Sequence, residues 1–253
     1  VAVVLIAIVG WVVSFAAPSA PPVGPKPVID WVLPRAMFCI IRDCAPQKDA
    51  MFAMLALGWF WFIGAVFLSL ILPVARYSLF ASEDVALLML ASFSVGVAIG
   101  AVMYSFIVKG SVTLRTAPWG AAGIGIGGVL FWLAVSNYGE GIAPDASLLT
   151  IPEFMARTDA WPVMGSLVLI AMFCGLYVTP LNVEYQVKAP EGQKGRFVAC
   201  SNVIDSLCMV GSAAVVGVLI GVVGLDRTEV FAIAGLTGFG ASYAMWRRCQ
   251  RLL

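Results

Sequence analysis

AMFAMLALGWFWFIGAVFLSLILPVA, residues 50–75, runs for 26 residues without an Asp, Glu, Lys or Arg. A helix needs about 20 largely apolar residues to cross a hydrocarbon core about 30 Å thick, at 1.5 Å per residue. The stretch is long enough to span. Five more charge-free runs follow it: Val85–Val108, Thr116–Gly139, Ala160–Val183, Ser206–Leu225 and Val230–Trp246. A seventh, Val1–Ala17, precedes it. The chain is 61% hydrophobic and 11% charged over 253 residues, with mean hydropathy +0.98. A water-soluble domain of that size cannot hide so much apolar surface. The expected fold class is an all-α membrane protein.

The charges between the runs set the expected orientation. With the loop after the first run in the cytoplasm, inside gaps hold Lys26, Arg35, Arg42, Lys48, Lys109, Arg115, Lys188, Lys194, Arg196, Arg247, Arg248 and Arg251. Outside gaps hold Arg76, Arg157 and Arg227, a split of 12 to 3. Cytoplasmic loops carry the excess of Lys and Arg, so the carboxy terminus is expected inside. Acids lean outward: Glu83, Asp84, Glu140, Asp145, Glu153, Asp159, Asp226 and Glu229 all fall in outside loops. The net charge of +1 sums both faces and says nothing of partners. Val1–Ala17 lacks the basic start of a signal peptide.

Three segments follow from this pattern. Residues 1–17 are expected to be the end of a transmembrane helix whose beginning is missing. Residues 18–48 form a cytoplasmic connection. Pro18–Pro27 holds five prolines in ten residues, which excludes helix there. Pro34–Cys44 suits a short amphipathic helix on the inner membrane surface, with Arg35 and Arg42 on one face. An ordinary solvated connector is the other reading. Residues 49–253 form a six-helix bundle, with approximate spans 50–75, 85–108, 116–139, 160–186, 196–225 and 229–247. Six spans after a long cytoplasmic loop have the layout of the second half of a major facilitator transporter, built as two inverted three-helix repeats.

Small residues recur four apart at Gly96 and Gly100, Gly123 and Gly127, Gly217 and Gly221, and Ala234 and Gly238. That spacing lets helix backbones approach closely. It suits either sliding, gating helices or plain close packing.

Few residues can carry chemistry. Asp205 is the one charge inside a span, about 12 Å from the start of its helix near Phe197. An acid there is disfavoured by roughly 2.5–3.5 kcal/mol on insertion scales, and usually faces a cavity or a partner. It either lines a transport path and binds a cationic group or proton, or it is protonated or hydrogen-bonded to Ser201, Asn202 or Ser206 and locks helix packing. Glu184, four residues before Lys188, reads as half of a helical ion pair. Trp59, Phe60, Trp61 and Phe62 point in every direction, so inward members either flank an acyl chain or fill the core.

Other chemistry is excluded. The chain has no His, so it lacks a Ser-His-Asp triad and the usual zinc and haem ligands. Its six cysteines fall in membrane or cytoplasmic segments, which argues against structural disulfides. Gly123–Gly128 lies in a hydrophobic run with no Lys-Ser/Thr after it, so it is not a nucleotide loop. Nothing resembles a nucleic-acid face. No cofactor or metal is expected, and a transporter rather than an enzyme.

Several stretches resemble one family. Ile29-Asp30-Trp31, the following basic amphipathic segment and Gly58-Trp59-Phe60-Trp61-Phe62-Ile63-Gly64-Ala65 are similar to the bacterial lysophospholipid transporter family of the major facilitator superfamily. So are Gly175-Leu176-Tyr177-Val178-Thr179-Pro180-Leu181-Asn182 and Gly195-Arg196-Phe197-Val198-Ala199-Cys200-Ser201-Asn202. The match is to the carboxy-terminal half, most like the form fused to acyltransferase and acyl-carrier-protein ligase domains. The resemblance implies flipping of lysophospholipids such as lysophosphatidylethanolamine across the bacterial inner membrane for reacylation. It implies the amino-terminal half as partner, with a fused or associated acyltransferase. Asp205 occupies the place of the family's acid in the eleventh helix. The candidate substrate-binding set is Asp205, Asn202, Trp59, Trp61 and Asn182. A permease or exporter for another small molecule, and a membrane anchor for an acyltransferase, are the rival expectations.

Overall fold

A computed structural model describes residues 2–16, 31–108, 113–138 and 147–250. The Pro-rich linker lies outside them. The described residues are helical, with one isolated bridge between Ala81 and Leu149 in place of any sheet. The helices are α1 (Ala2–Ser14), α2 (Leu33–Cys44), α3 (Lys48–Tyr77), α4 (Glu83–Val108), α5 (Ala117–Ser136), α6 (Ile151–Ala156), α7 (Ala160–Lys188), α8 (Lys194–Gly221) and α9 (Arg227–Gln250). A 3-10 turn at Leu114–Thr116 leads into α5.

Five helices, α3, α4, α5 with its leading turn, α7 and α8, are long and apolar enough to cross a membrane. The chain is a multi-pass helical membrane protein. The expected sixth span is a helix of 24 residues, α9, but it falls short of the other five in apolarity. Thr228, Glu229, Thr237 and Ser242 dilute it, and its packed face is made of Ala234, Gly235 and Gly238. Small residues that let helices touch add little hydrophobicity.

The helix ends alternate between two faces of the bundle. At the first end, Arg196 of α8 pairs with Asp43 of α2, Arg248 of α9 pairs with Asp49 of α3, and Cys249 Sγ lies 3.6 Å from the Leu114 carbonyl. At the second end, the Ser82 and Leu149 amides donate to the Leu149 and Phe80 carbonyls at 3.0 and 2.8 Å. There Arg227 lies over the Tyr77 ring at 4.8 Å, and Arg157 over Tyr138 at 5.1 Å. Arg157 also holds Asp159 through two hydrogen bonds of 2.9 and 2.6 Å. Burial pushes the Tyr138 phenol up to about 12 against the opposing pull of Arg157.

Acids at the second end cap helices. Glu153 accepts from the Thr150 amide at 2.8 Å and hydroxyl at 2.7 Å, closing a capping box on α6. The Thr150 bonds hold the Glu153 carboxyl below its usual range. Asp226 accepts from the Thr228 amide at 3.0 Å and hydroxyl at 2.6 Å, while Glu229 accepts from the Asp226 amide at 2.9 Å. Thr228 first, then the Arg227 backbone and charge, hold Asp226 low against burial.

Packing follows a repeated rule. α4 packs along α7, and α8 packs along α3. α5 packs on α7, and α9 on α3; α3 meets α7, and α5 meets α9. Exchanging α3, α4, α5 with α7, α8, α9 maps this set of contacts onto itself. Glycines make the closest of them. A Cβ on Gly100 would overlap the Met172 carbonyl, and one on Gly175 the Val97 carbonyl. One on Gly128 would lie 2.8 Å from Gly235 Cα. A stack of buried rings joins the two halves, with Phe231 of α9 lying 4.1 Å from Phe67 of α3 and 4.3 Å from Phe131 of α5.

The two flanking helices differ. α2 docks on α8, burying Cys44 beside Cys200, so it is anchored to the bundle as well as amphipathic. Burial raises the Cys44 thiol, opposed by Cys200 and Arg196. α1 exposes every described side chain from Val3 to Phe15.

Candidate functional site

Asp205 stands in the first half of α8, where the helix is held on both sides. Ile204 and Cys208 close on Gly58 of α3: a Cβ there would lie 2.8 Å from Ile204 Cγ2 and 3.0 Å from Cys208 Sγ. Tyr185 of α7 lies within electrostatic range of Asp205 and in hydrogen-bond reach of Ser201. The Ser201 hydroxyl donates to Asp205 Oδ2 at 3.4 Å. Oδ1 is buried and finds no hydrogen-bond partner among the described residues. A buried acceptor left open is unfavourable by about 1–3 kcal/mol, so the packing around Asp205 does not account for both of its oxygens. No cation from Lys or Arg pairs with it among the described residues.

Asn202 lies one turn before Asp205 and is exposed, as is Ser206. Both belong to the surface of α8 turned away from α3. The Ser206 hydroxyl donates to the Asn202 backbone carbonyl at 2.7 Å. Asp205 and Asn202 therefore belong to one locus.

The other candidates do not join them. Trp59 Nε1 donates to Thr237 Oγ1 of α9 at 3.2 Å, and its ring meets Tyr177 edge-on at 5.2 Å. It lines a cavity of about 460 Å³ between α3, α7 and α9, with Phe52, Leu55, Tyr177 and Ala244. The Tyr177 hydroxyl, fully buried, donates to the Ala56 carbonyl at 3.1 Å. Trp61 is 39% exposed and touches Phe60 at 5.6 Å. Asn182 donates to Val178 of its own helix at 3.2 Å. Glu184 and Lys188 approach to 4.0 Å, the expected helical pair.

The sequence pattern thus grouped residues that the fold separates. Consecutive aromatics on a helix diverge by 100° each, so Trp59 and Trp61 could not share a wall. Thr237 went unnoticed because a lone Thr in an apolar run usually satisfies itself, as its 2.7 Å bond to Ala234 does. Tyr185 was hidden by lying one turn beyond the quoted stretch ending at Asn182. Among the described residues no group of three His, Cys, Asp or Glu side chains is placed to hold a metal ion, and the six cysteines are free.

No family model matches this chain, and neither does any curated protein or solved structure.

Proposed function

We propose that this chain is the carboxy-terminal half of a major facilitator transporter that moves lysophospholipids, such as lysophosphatidylethanolamine, across a bacterial inner membrane. The observation that carries the reading is Asp205. An acid deep in a spanning helix, with one buried oxygen unpartnered among the described residues, is a site in want of a cation, a proton or a head group. Inverted repeats are supported by the exchange symmetry of the helix contacts. Substrates in that architecture bind near the midplane between two bundles. This chain then supplies one wall, with Asn202 and Asp205 on α8 turned toward the other.

The lipid assignment rests on the quoted motifs and suits the wall itself, whose second half is apolar and carries no charge from Ser206 to Leu225. A lysolipid needs such a surface for its single tail. Most basic residues of the described helices fall at the first end, with Arg76, Arg157 and Arg227 at the second, and the positive-inside rule assigns the richer end to the cytoplasm.

The test is uptake of fluorescent lysophosphatidylethanolamine by the full-length transporter in sealed vesicles. Asp205→Asn, at matched expression and unaltered thermal unfolding, is expected to lose most uptake, with Asp205→Glu retaining part. Unchanged uptake by the Asn variant would overturn the role of Asp205. Absence of lysolipid uptake by the unmodified protein, with uptake of a soluble solute instead, would overturn the substrate.

A further inference from the structure

A second groove lies on the seam of α5 and α9, away from the α8 locus. It encloses about 540 Å³ at the first end of the bundle, and Arg115, Trp119, Phe239, Tyr243, Trp246 and Gln250 line it. None of the candidate transport residues does. Three of its aromatics stay open: Trp119 is 73% exposed, Tyr243 58% and Trp246 50%. Tyr243 and Trp246 stack at 6.2 Å. Amphipathic rings of this kind settle at the level of lipid head groups.

The groove is graded along its length. Arg115 stands at its mouth in the turn before α5, and Arg247, one residue from Trp246, lies over the Tyr243 ring at 5.7 Å. Neither guanidinium has an ion-pair partner among the described residues, whereas Arg42, Arg76, Arg157, Arg196 and Arg248 each have one. Seven residues from Arg115, about 10 Å deeper at helical rise, Ala122 and Phe239 make an apolar floor. Cationic mouth, aromatic collar and apolar floor succeed one another in the order phosphate, glycerol, acyl chain.

We propose that the α5–α9 groove binds an anionic phospholipid, its phosphate between Arg115 and Arg247 and its acyl chain against Ala122 and Phe239. Basic pockets between spanning helices recognise such head groups. The site rests on α5 being a membrane-spanning helix with α9 packed along it, and does not depend on the transport reading.

The experiment reconstitutes the full chain in phosphatidylcholine vesicles and titrates in brominated phosphatidylglycerol or brominated phosphatidylcholine while tryptophan fluorescence is read. Bromine quenches only tryptophans it touches. Preferential quenching by the anionic lipid is expected, and its excess over the neutral lipid should vanish when Trp119 and Trp246 are replaced by Phe. Arg115→Gln with Arg247→Gln should lower the preference by about fivefold per cation removed, while Arg115→Lys keeps most of it and Arg227→Gln, at the other end, keeps all. Equal quenching by both lipids in the unmodified protein would overturn the proposal without any variant needing to fold. So would a preference that survives the double substitution. Abolition of the excess by millimolar inorganic phosphate would show a free-anion site in place of a lipid site.

Discussion

α4 and α8 occupy corresponding places in the two groups of three helices, and each carries a pair of glycines four residues apart. Their fates differ. Gly96 and Gly100 of α4 are pressed against α7, where a Cβ on Gly96 would come within 2.6 Å of Ala171 Cβ. Gly217 and Gly221 of α8 meet nothing within 4 Å. α4 buries residues from Val85 to Tyr104, nearly its whole length, whereas the last buried residue of α8 is Ser212. The same spacing makes a close contact in one helix and an open stripe in the other. Spacing permits close approach; the facing surface decides whether it occurs.

The strongest way to break this contrast is Gly100→Ala. The added methyl would collide with backbone at Met172, which cannot rotate away as a side chain would. Destabilisation at the upper end of the 1–3 kcal/mol typical of overpacking, about 3 kcal/mol, is expected in thermal unfolding of the detergent-solubilised protein. An unfolding temperature equal to that of the unmodified chain would mean that α4 and α7 are not in backbone contact.

A smaller effect is expected where the open helix hands the chain to the packed one. Asp226→Ala removes the cap of α9 and should lower stability by about 1 kcal/mol. Acid should reproduce that loss. Because the folded Asp226 carboxyl is held below its ordinary range, its contribution is complete above the unfolded value of about 3.9 and disappears as pH falls through the lower folded value. Stability attributable to the cap should therefore be flat from pH 7 to pH 5 and decline below about 4. The difference between Asp226 and the Ala variant should close over that acid window; a gap that persists at the lowest pH would assign the variant's defect to something other than the carboxylate.

The smallest effect carries the opposite sign. Gly217→Ala adds a methyl to open space in a helix interior, so a gain within about 0.5–1 kcal/mol is expected. A clear loss of stability in this chain would mean that the α8 stripe is already covered. Measured beside Gly100→Ala, it isolates the facing surface from the glycine itself.

Much of the architecture was legible because charge exclusion acts residue by residue along a spanning helix. The start of α2 followed from Pro34, and Arg42 lies in its last turn. α6 escaped although Thr150-Ile-Pro-Glu153 is a capping-box pattern, because only six residues follow the cap. The weaker apolarity of α9 was equally readable, but a charge-free run conceals the difference between Leu and Gly. The candidate site was legible for Asp205, whose rarity inside a span marks it. It was not legible for Trp59, since a ring's partners depend on which helices the fold brings beside it. Here those partners are Tyr177, 118 positions away by subtraction, and Thr237, separated by 178.

The ring stack of Phe67, Phe231 and Phe131 bears on how such a bundle can move. Three interleaved rings from α3, α9 and α5 act as a rivet: no two of these helices can slip by a turn without unstacking a pair worth about 0.5–1.5 kcal/mol beyond its buried area. The three riveted helices therefore move as one rigid unit, and bending is left to the far half of α8, which buries no residue beyond Ser212.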